Sequence, residues 1–414
     1  MTTLPAQPPA RYSVDNLLFI SLGLFAFTVL FSVTAVQISL FLAIIFLLVQ
    51  RRREQPLSDT LPSLARHPLF IPWLVYLGVC LLTAVTAYYP AKGFSQLNSD
   101  FLKYVCLSAL LLAVRQKHLP RLAAIYTGAA ALSAVFGIAE VVSSAFNGSG
   151  SLDRAGVFMN AVRYGEAMTI AFLLAMSRLL LLSEDSSTKN RLLYMLAAGL
   201  TFTVIILSQT RGAYLGTAAG LLAIFIFAPA ARKRLVFAVA VLLAAGALLA
   251  AANPVIKNRI TTMIQVNRHD FSGNSASTGI NVRLELWKLG YKMFRTHPVV
   301  GVGPDNVRRV FKKFHPEPFP EEGIYGTLNN LYVHQAAERG LLGLGALLFL
   351  FLALWRYALE NFRRSRSPYA LWALCALPAF YVVNITEISF QHVHTSFAIF
   401  MALAFGAAAD KETA

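Results

Sequence analysis

Three residues near the end of the longest polar stretch have the types and spacing for proton transfer. If the chain is helical from Asn330 onward, Asn330, His334 and Glu338 recur at i, i+4 and share one face. Histidine titrates near neutral pH and suits general-base work, and a carboxylate one turn away orients its imidazole or raises its pKa. The plainer alternative is that His334 caps or packs the start of a helix. A second set is cationic. Arg154, Arg163 and Arg211 come from different loops or helix ends, and Arg283 lies in the long polar stretch. A guanidinium fork matches phosphate oxygens bidentately, so together the four suit a cationic pocket for a phosphorylated ligand. Singly, each has a bland reading: pairing with Asp153 or Glu166, or snorkelling to headgroups. No paired-Asp motif accompanies them, and Asp305 and Glu338 are isolated acids.

The elements that must position these residues are apolar. Of 414 residues, 57% are hydrophobic and 14% charged, with a mean hydropathy of +0.58. A soluble domain carries about 25% charged residues, so the chain reads as an all-α, polytopic membrane protein. Apolar runs of about 17–25 residues indicate helical spans, not the alternating strands of a β-barrel. About twelve are expected, near 16–31, 34–50, 69–88, 101–114, 122–146, 165–183, 192–208, 212–229, 235–252, 331–356, 368–386 and 391–409. Lys92 and Asp100 then fall in a small polar loop between the third and fourth. No cleavable signal peptide is evident. Cys80, Cys106 and Cys375 lie in apolar runs and read as small core residues. The net charge of +16 comes mostly from short basic loops, so nucleic acid is not an expected partner.

Lys/Arg-rich loops at 51–66, 115–121, 184–191, 232–234 and 356–366 alternate correctly for the cytoplasmic side, with both termini there. The Arg154/Arg163 loop, Arg211, the 386–391 turn and the long stretch then share the outer face. Three regions follow: spans one to nine over 1–252, a large outer loop over 253–330, and spans ten to twelve over 331–414. A polar excursion of that length between spans is characteristic of a functional loop.

Three stretches resemble the O-antigen ligase and polymerase superfamily of bacterial membrane glycosyltransferases. Ser208-Gln209-Thr210-Arg211-Gly212 is similar to its Ser-x-(Ser/Thr)-Arg-Gly segment. Arg283-Leu284-Glu285-Leu286-Trp287, followed by Pro298-Val299-Val300-Gly301-Val302-Gly303, resembles its Arg-x3-Trp and Pro-x2-Gly-x-Gly pattern. Asn329-Asn330-Leu331-Tyr332, through Glu338-Arg339-Gly340 to Gly343, resembles its His-Asn-x-Tyr-x5-Glu-x-Gly-x2-Gly ending. One departure stands out: Asn329 occupies the position of the family histidine, and the nearest histidine is His334.

The resemblance implies a GT-C-like glycosyltransferase of the bacterial inner membrane, active on its periplasmic side. It would move an O-polysaccharide from undecaprenyl pyrophosphate to the terminal sugar of lipid A-core. The family's histidine role carries to His334, with His315 as runner-up. Arg211, Arg163, Arg154 and Arg283 would hold the pyrophosphate in place of a metal, so no cofactor is expected. Tyr332 or Asn330 would position sugar hydroxyls, and Arg308 and Arg309, with Lys312 and Lys313, suit the phosphorylated inner core or anionic headgroups. A single displacement would invert the anomeric centre. Within the superfamily, an O-antigen polymerase or a protein-glycosylating oligosaccharyltransferase shares the donor and differs in acceptor. A lipid-linked glycan transporter fits less well, because the spans hold few ionisable residues and no two-fold repeat is evident. His392 and His394 form a weak HxH metal signal; packing or headgroup contact is the other reading. Gly340, Gly343 and Gly345 are expected to permit close helix packing.

Overall fold

The computed structural model describes residues 13–54, 65–146, 154–181, 188–252, 279–316 and 324–409. Among these the regular elements are helices. In chain order they are α1 (Val14–Thr28), α2 (Val33–Glu54), α3 (Phe70–Val85), α4 (Pro90–Ala113), α5 (Leu119–Phe146), α6 (Ala161–Leu181) and α7 (Thr188–Leu207). Then follow α8 (Arg211–Phe227), α9 (Arg232–Ala252), α10 (Gly279–Thr296), α11 (Val307–Phe314), α12 (Leu331–Ser365), α13 (Pro368–Val383) and α14 (Val393–Ala408). Runs this apolar form helices because a helix satisfies its own backbone polar groups where water is absent.

Five described helices are long and apolar enough to cross a membrane, or six if α8 and α9, bent by 108° at their junction, act together. The helices α1, α3, α13 and α14 are apolar but shorter. This is the architecture of a multi-pass membrane protein. Large apolar side chains such as Phe41, Ile71, Leu222 and Phe237 face outward, as a lipid-facing surface requires. α13 and α14 run through the middle, buried along most of their length, and the Trp372 indole of α13 donates to the Ile170 carbonyl of α6 at 2.9 Å.

One expectation fails. The residues between 90 and 100 are not a loop: α4 begins at Pro90, a favoured first position, and carries Lys92, Asp100 and Lys103 inside the helix. Asp100 and Lys103 are 0% and 2% exposed. They tolerate burial because they meet each other at 3.0 Å, and Asp100 also meets Arg339 of α12 at 2.7 Å. A charge that finds a partner inside the bundle does not mark a loop.

The loops gather at two ends. At one, Asp15 meets Lys117 at 2.6 Å, and His67 Nε2 lies 3.2 Å from the Tyr357 hydroxyl. The other end holds the segments around Arg154, Ser208–Arg211 and Asn384–His392, together with α10 and α11. There a second core forms from Val282, Leu286, Leu289 and Met293 of α10, Val307, Val310 and Phe311 of α11, and Leu328. Its contact with Ala337 joins it to α12.

The join depends on a break in α12. Gly340 sits at φ 62° and ψ −158°, interrupting the helix; only glycine adopts that region readily. The backbone groups freed by the break are taken by the chain before α11. Val302 N donates to Ala337 O at 2.9 Å, and Gly303 N donates to Glu338 O at 2.8 Å. In return Leu341 N donates to Pro298 O at 2.8 Å. A Cβ on Gly340 would meet the Val299 backbone, and one on Gly301 (φ 69°) would meet that of Glu338. Two separate glycine motifs are thus one interlocked joint. The helix-packing expectation for the later glycines is corrected accordingly: Gly343 makes room for the side chain of Arg339, and Gly345 faces open space.

Candidate functional site

The site is built at the head of α12. Asn330 is its N-cap, in extended conformation, and its Oδ1 accepts from Tyr332 N at 3.0 Å and Val333 N at 3.1 Å. Capping occupies that side chain. It also fixes the register of the first turn, where His334 N donates to Asn330 O at 2.9 Å. One turn later His334 Nε2 lies 3.3 Å from Glu338 Oε2, with the two side chains 3% and 0% exposed. The expected i, i+4 pairing is therefore formed. Nδ1 of His334 is buried and has no hydrogen-bond partner among the described residues, a costly state for an imidazole nitrogen.

The turn between α13 and α14 organises the rest. Leu331 N, the first amide of α12, donates to Asn384 O at 2.8 Å and Glu387 O at 3.0 Å. Asn384 holds the turn from inside, its Oδ1 accepting from Phe390 N at 3.0 Å. On another side Gly212, at the start of α8, presses on Thr386, where any Cβ would collide with the threonine hydroxyl. Arg211, the residue before it, is exposed at the first position of α8 and makes no ion pair among the described residues. Arg283 of α10 lies 3.9 Å from Glu387 Oε1, with the two side chains 28% and 15% exposed. Arg211 and Arg283 thus flank the same turn, next to the head of the histidine helix.

Glu387 is the counter-charge of this cluster. Burial holds its carboxyl above the ordinary glutamate value, against the opposing pull of Arg283, Arg163 and Arg154. Arg163 is exposed on the first turn of α6. Deeper in the bundle, Glu166 is 2% exposed and accepts from the Ser389 hydroxyl at 2.6 Å. The turn is therefore bound to α6, α8, α10 and α12 together.

The other residues singled out above divide clearly. Arg154 clasps the strained Ser208–Thr210 connection, its Nε donating to Ser208 O at 2.9 Å and its NH2 to Thr210 Oγ1 at 3.0 Å. Gln209 in that connection has φ 52°. Tyr332 donates its hydroxyl to Tyr381 O at 2.9 Å and stands its ring edge-on against Phe351, so it ties α12 to α13. Arg308 and Arg309 are exposed on α11, away from this turn, with Arg309 over the Tyr89 ring at 5.7 Å. Near them Lys313 Nζ donates to the Tyr88 hydroxyl at 3.0 Å. His315 caps the end of α11, its ring 6.1 Å from that of Phe311. His394 Nδ1 lies 2.6 Å from the Val29 carbonyl, and His392 stands at the N-cap of α14.

Sequence reasoning placed the 386–391 turn on the same face as the arginines but not its role as the point where four helices are joined. Glu387 carried a signal, an acid between two apolar runs. Asp100 and Lys103 carried the stronger one: intramembrane charges mark functional candidates by default.

Residues 196–348, rather more than a third of the chain, match the family model Wzy_C, described as O-antigen ligase. The match runs from within α7 to the first half of α12, so it contains Arg211, Arg283, His334, Glu338 and the glycine joint. Arg154, Arg163, Glu166 and the Asn384–His392 turn lie outside it. No curated protein matches the chain.

Proposed function

We propose, from the match of segment 196–348 to the O-antigen ligase family model, that this protein is a polysaccharide ligase. It transfers an O-polysaccharide from undecaprenyl pyrophosphate to the terminal sugar of lipid A-core. One observation carries the reading: a single turn receives the head of the helix that bears a buried His–Glu pair, and on its other sides Arg283 and the start of the helix that carries Arg211. A base for a hydroxyl and fixed cations for a leaving pyrophosphate are what glycosyl transfer from such a donor requires.

With Nε2–H turned to Glu338, Nδ1 of His334 keeps a lone pair to accept the proton of the acceptor hydroxyl. The hydroxyl oxygen bonds to the anomeric carbon as the bond from that carbon to the pyrophosphate oxygen breaks. Arg211 and Arg283 take the charge that develops on the leaving group, and Glu387 yields Arg283 to it. The displacement is single, metal-independent and inverting. Arg154 supports Arg211 by holding the connection before it, and Arg163 adds charge at the rim. In this reading twelve spans cross the inner membrane, both termini are cytoplasmic, and the 253–330 segment lies in the periplasm. Arg308 and Arg309 face the phosphorylated acceptor or the headgroups around it.

Purified protein given lipid-linked O-polysaccharide, lipid A-core and a chelator should build a ladder on lipid A-core. His334→Ala and Arg211→Ala should abolish it. Extension of the glycan on its lipid carrier, with none reaching lipid A-core, would replace the ligase reading by a polymerase. A fully active His334→Ala protein would move the base to His315 or remove it.

A further inference from the structure

Behind the His334–Glu338 pair lies a group of charges that the proposed chemistry does not use. Arg339, the neighbour of Glu338, is 0% exposed. Its NH1 donates to Gln335 Oε1 at 2.9 Å and its NH2 to Asp100 Oδ2 at 2.7 Å. Asp100, also 0% exposed, is shared with Lys103 Nζ at 3.0 Å. Lys103 in turn sits over the Phe390 ring, 5.4 Å from its centre, beside the turn that receives the head of α12.

Burying ions costs several kcal/mol each even after relaxation, so a group this deep needs a reason. Two cations share one carboxylate here. The position is telling as well. Residues 335–339 form the last turn before the Gly340 break, where α12 does not continue to hold their carbonyls. Those of Ala337 and Glu338 are held by the Val302 and Gly303 amides, which fixes the backbone but not the rotation of the turn about its axis. The grip of Arg339 on α4 supplies that constraint. Gly343 is part of it, since a Cβ there would meet the Arg339 side chain.

We propose that Asp100 and Arg339 are positioning residues: the ion pair locks the last turn of the broken helix to α4 so that the His334–Glu338 pair, as a unit, keeps its place in the bundle. This rests on the transferase reading for its catalytic consequence but not for its structural one. Neither residue touches substrate. Donor binding by Arg211 and Arg283 does not depend on them, so their loss should appear in turnover and not in substrate affinity.

The test uses the full-length protein in detergent or nanodiscs, with Asp100→Asn and, as the milder variant, Arg339→Lys, which keeps the charge and loses the two-pronged grip. In steady-state transfer kinetics both variants should lower kcat, by ~10²-fold for a misplacement on the scale of 1 Å, with donor KM unchanged. Hydrogen exchange followed by mass spectrometry should rise in peptides covering 331–342, while peptides from α13 and α14 keep wild-type protection. Wild-type kcat in a folded Arg339→Lys protein would overturn the positioning role, as would a rise in KM with kcat intact. Exchange at 331–342 that stays at the wild-type level would overturn the lock whatever the activity. A wild-type protein inactive on every lipid-linked donor, with exchange raised in the variants, would remove the transferase reading and leave the lock standing.

Discussion

Replacing Gly340 by alanine should disable the site without touching any residue assigned to chemistry. At φ 62° and ψ −158° the backbone occupies a region essentially confined to glycine, and forcing another residue into it costs roughly 1–3 kcal/mol. The new methyl also has no room, because the Val299 carbonyl and the Val300 amide already press on that position. Overpacking of that kind adds roughly 1–3 kcal/mol. The sum, on the order of 2–6 kcal/mol, is comparable with the worth of the backbone hydrogen bonds in the joint at about 0.5–1.5 kcal/mol each. The relaxed structure is therefore one in which the joint opens and α12 straightens through 340, shifting the His334–Glu338 turn as a whole relative to the chain before α11. Thermal unfolding by intrinsic tryptophan fluorescence should show a lower midpoint, and transfer activity should fall by ~10²-fold. Equal activity and an equal midpoint in Gly340→Ala would refute the joint as the element that holds the pair.

Other expectations follow from the same geometry. Gly345→Ala, facing open space, should change stability by less than about 0.5 kcal/mol, whereas Gly343→Leu should displace Arg339 and behave like Asp100→Asn in the exchange measurement. Arg283→Lys should raise donor KM nearly as much as Arg283→Ala, because one ammonium does not reproduce the guanidinium fork; equal KM for Arg283→Lys and wild type would show a simple charge effect. Burial raises the Glu387 carboxyl pKa, so the folded state holds that proton more tightly than the unfolded chain does. Its favourable contribution is present in acid and is lost as pH climbs through the unfolded value toward the folded one. The midpoint of wild type relative to Glu387→Gln should accordingly fall as pH is raised across that window; a difference that stays flat would place Glu387 in water.

The all-helical, multi-pass character was legible because apolar runs of membrane length leave the backbone little choice. The His334–Glu338 contact was legible too, once α12 was expected to start beside Asn330, since helical spacing alone makes the two neighbours. Asp100 was misread for a physical reason: in one dimension a charge between apolar runs looks like the end of a span, and its partner Arg339 lies 239 residues away. The turn at Asn384–His392 could be placed on the outer face, but its contacts were invisible for the same reason. It gathers residues from α6, α8, α10 and α12, and each of those contacts is long-range. Of the glycines, the motif was readable but not its use. Nothing local tells that Gly301 and Gly340 face one another, or that Gly343 serves an arginine on its own helix.

The interlocked backbone around Gly340 also sets where this chain can be cut and rejoined. A hybrid that swaps residues 253–330 divides the two halves of the joint between different parents, pairing a foreign 298–303 with a native 337–342. The donors and acceptors would still be peptide groups, but the close approach of Gly301 to Glu338 and of Gly340 to Val299 leaves no tolerance for a different local path. Exchanges that carry 298–342 as one piece keep both sides matched. The portable module therefore extends about three turns into α12, past the point where hydropathy alone would place its border.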